Sequence, residues 1–166
     1  MDTHLHQPYV NKPAERLTIE RVGLKFGLIL AGANIGYFLL MAAIGLETTT
    51  WLRVGNFILM FLVTYRAVQY FKHHVKGYWT YMKGLGAGMY TILIGALPFA
   101  IFLMLYSLID YNFIETLKET QPMGRYFNPF FVSFLAFVEM LVYGFIFVFT
   151  IMQRLKSSHF SNPYHK

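Results

Sequence analysis

A chain of 166 residues that is 56% hydrophobic, 19% aromatic and only 13% charged cannot clothe a water-soluble core, because soluble domains carry about 25% charged residues. It holds no cysteine, which excludes disulfides, thiolate metal sites, Cys nucleophiles and Cys-linked lipids. The net charge of +6 flanks apolar runs instead of forming one basic face, which argues against a nucleic-acid partner and for a role in membrane orientation.

These bounds predict an all-α, polytopic membrane protein: a bundle of four transmembrane helices over residues 21–154, with a lipid bilayer as its solvent. A polar tail, 1–20, precedes the bundle and another, 155–166, follows it. The first tail carries Pro8 and Pro13 and leads into AERLTIERVGLKFG, a short amphipathic stretch that reads as an interfacial helix. The first apolar run, 24–46, is too long for the core of a signal peptide, so it reads as a membrane helix that stays. Gly23, Gly27, Ala31, Asn34 and Gly45 share one of its faces at 3.6 residues per turn. Gly32 and Gly36 make a second small face, roughly opposite, so this helix is expected to have neighbours on two sides.

The second helix, 51–71, is the weakest, because Arg53, Asn56 and Arg66 interrupt it. HHVKGYWTYMKGLGAG follows, read as a segment lying in the interface, with Tyr78, Trp79 and Tyr81 as belt aromatics. A docking site for a partner is the sharper reading of the same stretch. In the third helix, 85–109, a stripe of Gly84, Gly88, Thr91, Gly95 and Pro98 suits close packing. Pro98 frees the carbonyl of Ile94, which predicts a kink near mid-membrane. The Asp110–Asn128 stretch, with Asp110, Glu115 and Glu119, reads as a loop that faces outward from the cytoplasm. Asn128-Pro129 signals the start of the fourth helix, 129–153: a capping side chain, then proline in the first turn. Lipid offers no partners to open strand edges, so each span must be helical.

Eleven of the fourteen Lys and Arg residues flank one side of these spans: Lys12, Arg16, Arg21 and Lys25; Arg66, Lys72, Lys76 and Lys83; Arg154, Lys156 and Lys166. Both termini are therefore expected in the cytoplasm.

The fourth helix carries Glu139 in an otherwise greasy run, FLAFVEMLVYGF. Ala136, Glu139, Tyr143 and Thr150 form a face expected to meet the bundle. Phe134, Phe137, Leu141, Phe145, Val148 and Phe149 form the face expected to meet lipid. Ten residues into its helix, Glu139 lies about 15 Å deep, where an acidic residue costs about 2.5–3.5 kcal/mol. Partners or protonation must offset that cost. Asn34, Tyr143, Thr91 and Arg66 are the candidate partners. Glu139 is then either interhelical glue or a proton or cation site.

Other chemistry is missing. By this topology all six histidines lie outside the helix cores, which leaves no axial ligands for a membrane haem. His73 and His74 lack acidic neighbours for a metal site. Gly84, Gly86 and Gly88 lack the spacing and the Lys-Ser/Thr ending of a phosphate loop. No catalytic constellation and no cofactor site is legible, so an enzyme is not expected.

The stretches KGYWTYMKGLGAG and IDYNFIETLKE carry a resemblance. Through them the chain, over most of residues 22–153, resembles a group of small four-helix bacterial inner-membrane proteins known only as a domain of unknown function. The resemblance implies that fold and a bacterial inner membrane, and it implies no activity. The expectation is a non-enzymatic membrane protein, an accessory subunit bound to a membrane-protein partner or a homo-oligomer. The alternative is a small proton- or cation-coupled transporter or channel that uses Glu139.

Overall fold

The computed structural model describes residues 18–46, 49–74, 80–121 and 124–156. These form α1 (Ile19–Ala43), α2 (Thr50–His74), α3 (Tyr81–Ile109), α4 (Tyr111–Thr120) and α5 (Pro129–Lys156), with a 3-10 turn at Gly124–Tyr126 before α5. The expected interfacial aromatics Tyr78 and Trp79 and most of the two tails lie outside the described residues.

Local chemistry sets the helix ends. The Thr18 hydroxyl accepts the Arg21 N–H and opens α1. Gly45, at φ +70°, closes it: the Gly45 N–H donates to Ala42 and the Leu46 N–H to Met41. Glycine enters that left-handed conformation without a Cβ penalty. Asp110 ends α3 and caps α4, its carboxylate accepting the Phe113 N–H and the Tyr106 hydroxyl. Asn128 caps α5 through the Phe131 N–H at 2.8 Å, and Pro129 occupies the first helical position.

α1, α2, α3 and α5 are long and apolar enough to cross a bilayer. Leu40, Ile101, Leu105 and Phe130 point outward, half exposed or more. Lipid is the solvent that such a surface suits. The chain is a multi-pass membrane protein built as an all-α bundle. α4, with ten residues, is too short to span and lies across one end.

Contacts fix the directions. Gly23 faces Tyr90, Gly27 faces Ile94 and Leu30 covers Gly95, so α1 and α3 run parallel. Gly88 faces Val148 and Gly144 faces Ile92, so α3 and α5 run antiparallel. Tyr37 lies over Gly55, and Phe26 over Tyr70, so α2 runs antiparallel to α1. α3 is central, and α2 meets α5 more sparsely than it meets α1 or α3. One end of the bundle therefore holds the start of α1 and the finish of α5. The other holds α4.

Two expectations change here. α3 starts at Tyr81, so the GLGAG run taken as an approach to the helix is already inside it. Glycine costs about 1 kcal/mol in a helix exposed to water. Here the small residues let α1 and α5 approach, and lipid demands a satisfied backbone. The stretch read as a loop contains α4, whose Phe113, Ile114 and Leu117 are buried. α3 itself runs unbroken through Pro98.

Candidate functional site

The size of the residues on α3 decides where the bundle is open. Toward the termini, Gly84, Ala87, Gly88, Thr91, Gly95 and Ala96 are buried and keep neighbours close. Toward α4, the buried positions become Phe99 and Leu103, with Phe102 and Tyr106 beside them. Larger side chains hold the helices apart. Between α2 and α5 the separation leaves a cavity of about 110 Å³.

Its walls are mostly apolar: Met60 from α2, Phe99 and Leu103 from α3, Ala136 and Met140 from α5. α4 covers it with Phe113 and Leu117. Phe113 is pinned in turn by Phe38, edge to face at 5.8 Å, and Phe38 meets Tyr106 at 4.9 Å. On the α2–α5 seam, Phe57 stacks obliquely on Tyr143 at 4.3 Å and Phe61 meets Phe147 edge-on at 5.5 Å. Deeper in, Val68, Ile92, Val148 and Met152 pack into a closed floor.

Five polar residues line this apolar space: Thr49, Arg53, Asn56, Gln121 and Glu139. Glu139 is partly buried and lines it from α5. Arg53 lines it from the first turn of α2 and is exposed. Asn56, one turn on from Arg53, also lines it, and its amide oxygen is buried with no hydrogen-bond partner. Among the described residues, no side chain donates a hydrogen bond to Glu139. A cavity of this volume, with Glu139 and Arg53 on its mostly apolar wall, is roomy enough for several waters.

The match that places the chain covers all of this. Residues 25–157 fit the family model described as a protein of unknown function, DUF4199. The chain belongs to the DUF4199 family. No curated protein and no solved structure matches it. The DUF4199 region runs from α1 to the end of α5, so every cavity wall lies within it.

Within the DUF4199 region the candidate partners of Glu139 separate. Asn34 is fully buried, but its amide donates to the Met140 sulfur at 3.9 Å and its carbonyl oxygen has no partner. It stands behind Met140, not against Glu139. Tyr143 does not line the cavity; its ring seals the seam with Phe57 and is 39% exposed. The Thr91 hydroxyl donates to its own helix at Ala87. Arg66 is exposed and does not line the cavity. It follows Arg53 by thirteen residues, which turns it about 140° away around α2.

The packing glycines divide as well. Gly23, Gly27, Gly84, Gly88 and Gly95 are buried at helix contacts or in the α3 stripe. Gly32 and Gly36 are exposed, and a Cβ built on either would meet nothing within 4 Å. The second small face of α1 thus has no neighbour among the described residues. On α5 the face against α3 is Met140, Gly144 and Val148, with Thr150 exposed. Val148, expected to meet lipid, is fully buried. Gly144 lets Ile92 approach, and this shape complementarity, more than polarity, sets the rotation of α5.

In the sequence Arg53 and Asn56 stand out only as interruptions of the second helix. Their signal was present: with Met60 they fall at i, i+3 and i+7, one face of a helix.

Proposed function

We propose that this DUF4199 protein is a non-enzymatic small-solute carrier that takes up a proton or a cation at Glu139. One observation carries this reading: a carboxylate set deep in an apolar bundle lines an accessible cavity and accepts no hydrogen bond from the described protein groups. A carboxylate retained only to join helices is expected to contact its partner, because an unpaired ion at that depth is costly. Asn34, Tyr143 and Arg66 are each engaged or placed elsewhere. Toward the termini the floor of Val68, Val148 and Met152 is packed, so in this reading a solute enters from the α4 end, past Phe113 and Leu117. In this reading both termini face the cytoplasm of a bacterial inner membrane, as the Lys and Arg bias favours, and the cavity opens outward.

The test is flux into proteoliposomes that enclose a pH-sensitive dye. Glu139→Gln is expected to abolish a pH-driven flux while leaving insertion and thermal unfolding unchanged. Equal flux in the parent and the variant removes the reading.

The open Gly32–Gly36 face favours a second reading, an accessory subunit or homo-oligomer in which another helix covers it. Cross-linking in native membranes through a cysteine placed at Gly36 should then capture a defined species. Capture of monomer alone counts against it.

A further inference from the structure

We infer that the seam between α1 and α2, at the end that holds the start of α1, binds one acidic phospholipid. Its phosphate sits among Lys25, Arg66 and His74, and its chains lie on the apolar surface beside them. This site does not depend on the carrier reading. Phe26 of α1 and Tyr70 of α2 meet across the seam at 5.4 Å. The Lys25 ammonium reaches over from α1 and sits 5.1 Å from the centre of the Tyr70 ring, within cation–π range. His74, the last residue of α2, stacks on the same ring at 4.2 Å, 24° from parallel. An ammonium and an imidazole from two helices thus converge on one tyrosine.

The unused hydrogen-bonding groups point to an anion. His74 Nδ1 lies 2.9 Å from the Tyr70 carbonyl oxygen. A carbonyl only accepts, so Nδ1 is the protonated nitrogen and Nε2 is left for an outside group. Among the described residues, Lys25 and Arg66 have no hydrogen-bond or ion-pair partner, and His74 has none at Nε2. Arg66 is exposed, one turn before Tyr70 on the same face of α2, and its side chain is long enough to snorkel toward that ring. The dipole of α2 favours cations in its last turn, where Lys72 and His73 join His74. Glu20, the acidic residue nearest to Lys25 in sequence, is turned about 140° from it around α1. A phosphate satisfies this set: Lys25 and Arg66 donate to it, and His74 donates through Nε2 in its imidazolium form.

The surface beside the cations sets the rest of the occupant. Leu28 and Ile29 follow Lys25 at i+3 and i+4, so they share its face of α1, and they are 56% and 48% exposed. Both lie one turn deeper in the span. The cations therefore stand where exposed apolar surface begins, the level at which a phospholipid passes from phosphate to acyl chain. A soluble anion leaves Leu28 and Ile29 unused. A zwitterionic lipid brings a further cation next to the three already there, which offsets much of the gain.

The experiment is native mass spectrometry of the full chain, released from a non-ionic detergent after equilibration with equal amounts of phosphatidylglycerol and phosphatidylcholine. One phosphatidylglycerol is expected to be retained in preference to phosphatidylcholine by at least about tenfold. Lys25→Gln and Arg66→Gln should each lower that preference about fivefold, the size expected for one basic residue at an anionic headgroup. Lys25→Arg should keep it. Arg154→Gln, which removes the same charge from α5 at the same end of the bundle, should leave it unchanged. Lys25 and Arg66 are both exposed, so the fold is expected to survive either change; if one variant fails to insert, the other carries the comparison. An excess of inorganic phosphate should not displace the lipid, because it has no chains to lay on Leu28 and Ile29. Equal retention of the two lipids, an equal loss in Arg154→Gln, an unchanged preference in Lys25→Gln or Arg66→Gln, or displacement by inorganic phosphate overturns the inference.

Discussion

The two ends of the bundle are built from the same four helices and pack differently. Toward the termini, α1 and α5 close on α3 through glycine: Gly27 under Ile94, Gly88 under Val148, Gly144 under Ile92. Toward α4, the contacts pass through rings, with Phe38 meeting Phe102, Tyr106 and Phe113 edge to face. Small residues bring backbones together and leave no space. Ring clusters hold helices further apart and leave gaps that only a ligand or water fills. The closed end supplies stability and a floor, and the open end supplies a cavity. Glu139, beside the buried Met140, lines the cavity at the boundary between the two ends.

That contrast can be broken at either end. The largest effect is expected from Phe38→Ala, which removes the ring to which α4 and α3 both dock. Loss of about 3–5 kcal/mol is expected for a buried Phe→Ala change, read by denaturant unfolding in detergent, and α4 amides should exchange fastest. Gly27→Leu attacks the closed end. A Cβ there would lie 2.7 Å from Ile94 and 3.0 Å from the Thr91 carbonyl, so overpacking should cost about 1–3 kcal/mol by the same measurement. Ala136→Phe sharpens the contrast from the other side. Filling the cavity should raise stability by about 0.5–2 kcal/mol, read by denaturant unfolding in detergent. The smallest effect is expected at Gly32→Leu, within about 0.5 kcal/mol for a site that touches nothing. A larger loss in native membranes than in detergent would reveal a covering partner.

The class of fold was legible because lipid leaves few choices: four apolar runs of spanning length must be helices. Glu139 was legible for the same reason, since an ionisable residue at that depth stands out against its neighbours. Its surroundings were harder to read. Depth points to Asn34 and Arg66, and one-turn spacing to Tyr143, but depth and spacing leave the rotation of each helix open. Rotation about α2 and α5 depends on which side chains interlock, as Gly144 and Ile92 do. The same ambiguity hid Arg53 and Asn56, which are polar in an apolar run yet face the cavity. Gly32 and Gly36 read as a packing face because smallness permits close approach without requiring it. α4 was missed although Asp110 and the Phe113, Ile114, Leu117 spacing signal a capped, one-sided helix. Its ten residues are too few to stand out beside the spans.

The most direct test uses the absence of native cysteine. Two single-cysteine variants, Ala136→Cys in the cavity wall and Val148→Cys in the floor, are exposed in sealed vesicles to a small, membrane-impermeant, cationic thiol reagent. Rapid labelling of Ala136→Cys from the side that α4 faces, with Val148→Cys protected, is the expected result. An unreactive Ala136→Cys, or equal labelling at both positions, would contradict a one-sided cavity at Glu139.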